Sequence, residues 1–271
     1  MPEQQILTPY PGSAIPHVGS YRRLLPVSLE RMYENALDWE HLPYVHEGSF
    51  AAIDCEASGP WGWRAAVVTP RGQRSVIELR LDRSCHRWIT RNLSGPNLGA
   101  EIWTHVFQLA PQRLEIVVDF FVPGVAEEQR SRVGAAYAAL YARLYDEDVA
   151  MMVERQRQLD RRIDRARDDE RVLQLGPRDQ LDLPRAVVLG GRDFVVAESA
   201  GMLVVFPAQC PHQLGPLSAT GLDDGVLTCP WHGYRFDVRT GANLSGQACS
   251  LSHLPEIEIA TDGSVLLRAR H

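Results

Sequence analysis

Two short pairs, Cys210-x-His212 and Cys229-x-x-His232, stand sixteen residues apart in the stretch CPHQLGPLSATGLDDGVLTCPWH. Two thiolates and two imidazoles suit a two-iron, two-sulfide cluster with both cysteines on one iron and both histidines on the other. Neutral imidazole in place of anionic thiolate, at the iron that takes the electron, raises the potential above that of an all-cysteine centre. The same residue types also bind zinc, tetrahedrally and without redox. The surrounding text favours the cluster. CPHQLG and CPWHGYRF each set Pro and Gly beside the ligands, as tight loops do, and the second runs on into FDVRTG.

A second constellation lies near the other end of the chain. Asp38, His41 and His46 stand in the order Asp-x-x-His-x4-His, preceded by Glu34 and Asn35. Asp38 and His41 are three apart and would share one helix face. Pro43 would then turn the chain and bring His46 round beside His41. Two imidazoles and one carboxylate are the facial triad of non-haem iron oxygenases, with positions left open for dioxygen and substrate.

From Pro184 to Arg270 the chain resembles the Rieske family, on the strength of the two loops quoted. Respiratory members carry an extra cysteine pair. Neither loop here has a third cysteine, and CPWHGY looks like the low-potential centres of ring-hydroxylating oxygenases and their ferredoxins. The segment YENALDWEHLPYVH is similar to the ENxxDxxHxxxxH pattern in the catalytic domain of Rieske oxygenases. That resemblance implies that His41 and His46 bind a mononuclear Fe(II). It makes Asp38 the acid bridging an iron ligand to a cluster histidine. It also implies a third ligand from the closing helix of the same domain, where LYDEDVAMMVERQRQ offers Asp148, with Asp146 as the alternative. The function implied is an oxygenase that hydroxylates, or oxidatively demethylates, a small, largely apolar or aromatic substrate. Electrons would come from NAD(P)H through a separate reductase, directly or by way of a ferredoxin, since this chain shows no GxGxxG turn. A homo-oligomer, such as a trimeric ring, would follow. One departure stands out: the catalytic half precedes the Rieske half, the reverse of the usual order. The competing reading is a Rieske electron carrier fused to a domain that binds an apolar ligand, with no enzymatic activity.

The elements that must position these residues form an α+β chain. Residues 1–27, rich in Pro, Gly and Ser, read as an irregular arm. Ser28 caps a helix, SLERMYENALDWEHLP, that Pro43 ends. Between about 49 and 122 runs of alternating residues, split by TPRG, SGPN and APQ, predict a meander of antiparallel strands. Trp103, His105 and Phe107 share one face, and Ile116, Val118 and Phe120 another. A long helix follows, from about Glu127 to Arg171. Helix, curved sheet and long closing helix predict a helix-grip catalytic domain over 28–165, with an apolar cavity that Trp103, Phe107, Phe120 and Met152 are candidates to line. A linker at 166–183 and an all-β Rieske domain at 184–271 complete the chain.

Composition sets the outer limits. A chain of 271 residues has room for two domains, and 45% hydrophobic with 23% charged residues is the balance of a globular protein. The net charge of −6 gives no basic footprint for nucleic acid. No apolar run is long enough to span a bilayer, and the first residues lack the pattern of a signal peptide. Beyond the two cluster cysteines, Cys55, Cys85 and Cys249 are too scattered for a disulfide framework. A cytoplasmic location is the expectation.

Overall fold

The computed structural model describes residues 15–164 and 170–270. The chain divides into two compact units, Met1–Val153 and Glu154–His271.

The first unit holds seven antiparallel strands: β1 (His17–Leu25), β2 (Ala52–Gly59), β3 (Gly62–Val68), β4 (Arg74–Asp82), β5 (Arg87–Asn92), β6 (Glu101–Ala110) and β7 (Arg113–Phe121). They form one sheet in the order β1-β7-β6-β5-β4-β3-β2. Helices α1 (Leu29–Leu37) and α2 (Leu42–Val45) connect β1 to β2, and α3 (Glu127–Asp164) follows β7. The inner face of β7 supplies Leu114, Ile116, Val118 and Phe120, all fully buried. Phe120 stacks on Tyr137 of α3 at 5.3 Å between ring centroids, and Tyr21 of β1 stacks on Tyr145 at 6.2 Å. At one crossing α3 comes so near β1 that a Cβ on Gly134 would lie 2.1 Å from the Val18 carbonyl oxygen. One sheet gripped by one long helix is the helix-grip architecture.

Three expectations need correction here. The segment His17–Leu25 is no irregular arm; it is the edge strand β1, in register with β7 through Tyr21↔Val118. Residues 1–14 lie outside the described residues. The first helix does not run to Pro43. It stops at Leu37, because Asp38 leaves helical geometry (φ −87, ψ 82), and a single 3-10 turn, Trp39–His41, follows. Pro43 then stands at the start of α2, where its missing N–H costs nothing. On β6 the buried face is Ile102, Thr104 and Val106, not Trp103, His105 and Phe107. The register explains it: Thr104 stands opposite Val118 and Ile102 opposite Phe120, so these share the core side of the sheet. Phe107 is left 50% exposed, and Trp103 and His105 face outward beside Asp119.

The second unit carries eight short strands: β8 (Val172–Pro177), β9 (Arg185–Leu189), β10 (Arg192–Ser199), β11 (Met202–Pro207), β12 (Val226–Thr228), β13 (Arg235–Asp237), β14 (Glu256–Ile259) and β15 (Ser264–Arg268). They pair as β11-β10-β9, β12-β13 and β14-β15-β8 around a core that includes Leu189, Phe194, Val196, Val265 and Leu267. The segment expected to be a linker therefore contributes a strand: β8 pairs with β15 and buries Leu175. Residues 165–169 of that segment lie outside the described residues. Helix α3 is described to Asp164, and its residues from Glu154 onward belong to this unit.

Candidate functional site

In the second unit, two loops present the four cluster candidates. The first follows β11 and closes on itself through Cys210 N–H to Gly215 O at 2.8 Å and Leu214 N–H to Cys210 O at 3.0 Å. The second follows β12 and closes in the same way, Cys229 N–H to Tyr234 O at 2.8 Å and Gly233 N–H to Cys229 O at 2.9 Å. Gly215 is where the loops meet: a Cβ there would stand 2.9 Å from Cys229 Sγ and 3.0 Å from the Trp231 ring. No larger residue fits. Cys210 and Cys229 are almost wholly buried and in hydrogen-bonding contact. The Cys210 thiol and then His232 hold the Cys229 thiol down against its burial, while the same pairing and burial push Cys210 up. His212 and His232 lie with ring centroids 4.5 Å apart, and His212 stacks on Tyr234 at 4.7 Å. Thiols sit beside thiols and imidazoles beside imidazoles. This fits a cluster whose two irons differ in ligand type.

The first unit brings together His41, His46 and Asp148, whose ligand atoms all lie within 4.8 Å of one another. His41 ends the 3-10 turn, His46 caps the C-terminus of α2, and Asp148 projects from α3. All three are buried, at 3%, 2% and 8% exposure. His46 Nε2 is 3.1 Å and His41 Nε2 3.4 Å from the same oxygen, Asp148 Oδ1. Each has a further polar neighbour, and for Asp148 it is on the same oxygen that the histidines face. His46 Nδ1 lies 2.6 Å from Glu147 Oε2, Asn35 Nδ2 donates to Asp148 Oδ1 at 2.8 Å, and His41 Nδ1 is 3.7 Å from Asp38 Oδ2.

The donor set passes a simple chemical test for a cation. A neutral His46 that gives its Nδ1 proton to Glu147 has only a lone pair at Nε2. That lone pair would face a carboxylate oxygen at 3.1 Å, which needs positive charge between them. Burial pulls His41 down, yet the neighbouring carboxylates of Asp148 and Asp38 outweigh it and hold the ring up at about 10. Burial pushes the Asp148 carboxyl up, and the two histidines in turn hold it well below the usual carboxylate range. The pocket thus binds positive charge, as protons or as a metal. Adjacent ligands about 2.1 Å from one ion stand roughly 3 Å apart, close to the two separations between the histidines and Asp148. The residues fit a mononuclear metal.

Beside the triad lies a cavity of about 120 Å³, walled by Phe50, Trp63, Leu79, Trp88, Thr104 and Tyr145 among others. Trp103, Phe107, Phe120 and Met152 are not among its walls: the first two face outward, the last two are packed in the core. The signal for one true wall was the alternation of β3, which buries Trp63; Trp88 lies in β5, where two successive residues are buried and no alternation marks it. Asp146 takes no part either; it is exposed and paired with Arg23 at 2.6 Å.

Residues 171–255 match the family model of the Rieske [2Fe-2S] domain, so the second unit carries such a domain, with all four candidate ligands inside the match. No curated protein sequence matches the chain. Among solved structures, the chain is similar to TTHA0849 from Thermus thermophilus, at 17% identity over 51% of this chain and 97% of that one, with a TM-score of 0.43. It is also similar to the Zhui aromatase/cyclase from Streptomyces sp. R1128, at 10% identity over 52% and 94%, with a TM-score of 0.41. The ferredoxin of carbazole 1,9a-dioxygenase from Nocardioides aromaticivorans IC177 aligns at 21% identity over 37% of this chain and all of that one, with a TM-score of 0.33. By its own strand order and long helix, and by the family match, the chain is α+β: a helix-grip unit followed by an all-β Rieske [2Fe-2S] domain. No helix among the described residues is long and apolar enough to cross a membrane.

Proposed function

We propose that this chain is a Rieske-type non-haem iron oxygenase, with its catalytic iron in the helix-grip unit. The observation that carries the reading is the buried convergence of His41, His46 and Asp148 beside an aromatic cavity, in a chain that also carries a Rieske domain. His41, His46 and Asp148 would hold an Fe(II) that would supply dioxygen activation, and Cys210, His212, Cys229 and His232 would hold a cluster that would supply electrons singly. The protein's own share is positioning. Three donors from two separate segments line the same cavity as the aromatic walls, so a substrate in it would lie against the site. Glu147 fixes the His46 tautomer, and Asn35 holds the Asp148 carboxylate. Asp38 orients His41 and, by the family resemblance, would link that ring to a cluster histidine. The walls of Trp63, Leu79 and Trp88 exclude water and select a small, largely apolar or aromatic substrate. Tyr145, pushed well up by burial and by the Asp148 charge, keeps its proton and lines the cavity as a phenol. An NAD(P)H-dependent reductase and a homo-oligomeric, trimeric arrangement belong to the same reading.

The test is the ratio of iron to acid-labile sulfide in protein purified without oxygen. Three irons to two sulfides per chain is the expected result. His41→Ala and Asp148→Ala should each bring the ratio to two to two and abolish oxygen-dependent turnover, with the cluster's visible absorption intact. A wild-type ratio of two to two that persists after added ferrous iron would instead leave a non-enzymatic electron carrier joined to an apolar-ligand domain.

A further inference from the structure

The second unit contains a cleft of about 510 Å³ that none of the chemistry above uses. One side is the end of α3, with Arg161 and Arg162; another is the β9–β10 turn, from Gly190 to Asp193. Gln209 and Pro211 also line it, and Pro211 stands between the cluster ligands Cys210 and His212. A wall of the cleft is therefore the cluster loop itself.

Its charge is unbalanced. Asp193 is engaged by Arg161 at 2.9 Å, and Gln209 reaches the same carboxylate at 3.4 Å. Arg162 and Arg192 are exposed, and among the described residues neither has a carboxylate within ion-pair distance. Partial burial, then the charges of Arg192 and Arg155, pulls the Arg162 guanidinium down, so the cations crowd one another. In a chain whose net charge is −6, an uncompensated basic concavity runs against the overall balance. The cleft also borders the loop that carries His212. The cysteines and His232 are sealed in, whereas His212 is only half-buried.

We infer that this cleft is the docking surface for an acidic, one-electron donor protein, whose carboxylates meet Arg162 and Arg192 while its redox centre is brought to the His212 side of the cluster. The exposure of the two guanidiniums favours a protein's acidic side chains, since a small anion would need a more enclosed cradle. The transfer moves one electron, oxidising the donor's reduced centre and reducing the oxidised cluster. Opposite charges at such a surface raise the association rate and make it salt-dependent. The inference rests on the Rieske domain alone, so its failure leaves the mononuclear iron reading to its own test of iron content.

An acidic plant-type [2Fe-2S] ferredoxin, chemically reduced, serves as the probe, and bleaching of the Rieske absorption is followed by stopped flow with the full cluster-loaded chain. Wild type should be reduced in a second-order step that slows at least ~tenfold between roughly 20 mM and roughly 500 mM salt, a range over which the screening length shrinks severalfold. The double variant Arg162→Glu, Arg192→Glu should be about tenfold slower at low salt, with most of the salt dependence gone, and with unchanged cluster potential and spectrum. If that variant loses its cluster, Arg162→Gln, Arg192→Gln is read in its place. Equal rates and equal salt slopes for wild type and variant, or a wild type that the probe reduces without salt dependence, would overturn the inference. So would saturable inhibition by inorganic phosphate at constant ionic strength, which would make the cleft a small-anion site.

Discussion

Glu147 and Asp148 are neighbours in sequence with separate tasks. One carboxylate faces the lone-pair side shared by both histidines, and the other takes the far nitrogen of His46 at 2.6 Å. Groups behind a metal ligand fix its tautomer and orientation, and losing one typically weakens metal binding roughly 10- to 100-fold. On the proposed oxygenase reading, Glu147→Gln should therefore hold a mononuclear iron about tenfold less tightly in a chelator competition, with cluster absorption unchanged. An affinity equal to wild type would mean that His46 is oriented by its packing alone. The family resemblance put Asp148 ahead of Asp146, and the tertiary surroundings set them apart, since Arg23 on β1 claims Asp146.

At the scale of elements, the positioning depends on breaks as much as on regular structure. A continuous helix from Ser28 to Pro43 would have placed Asp38 and His41 one turn apart on a single face. The chain instead leaves the helix at Asp38, turns once and starts again at Pro43, and this carries His41 and His46 to ring centroids 5.1 Å apart. The sheet opposite is held by its register, which puts Phe120 inside and Phe107 outside. Phe120→Ala should cost roughly 3–5 kcal/mol, the usual penalty for emptying a buried aromatic site. Phe107→Ala should stay within about 0.5 kcal/mol of wild type, as exposed substitutions do. Thermal or denaturant unfolding of the two variants checks the register directly. Similar losses from both would contradict it.

As a whole molecule, the chain joins two units with separate hydrophobic cores, one between sheet and helix and one among short strands. Only the second contains the cluster ligands, and metal binding stabilises the fold that contains it. Calorimetry should accordingly resolve two transitions. Removing the cluster with Cys229→Ser should lower one of them and leave the other in place. A single transition that moves as one would mean that the two units unfold cooperatively.

The sequence by itself determined the cluster loops, because ligand type, spacing and flanking Pro and Gly are local properties that survive without tertiary context. It also determined the fold class, since alternation of period two followed by a long helical pattern is legible along the chain. Strand β1 was hidden by the Pro- and Gly-rich text before it, and its pairing with β7 joins segments far apart in the chain that no local pattern connects. The same holds for the cavity walls. Whether Trp103 or Thr104 faces the core differs by one step of register, and that step is set by the partner strand. The family resemblance ranked Asp148 ahead of Asp146, but its meeting with both histidines, and the service of Glu147 and Asn35 beside the triad, required α3 to meet the first helical segment in space.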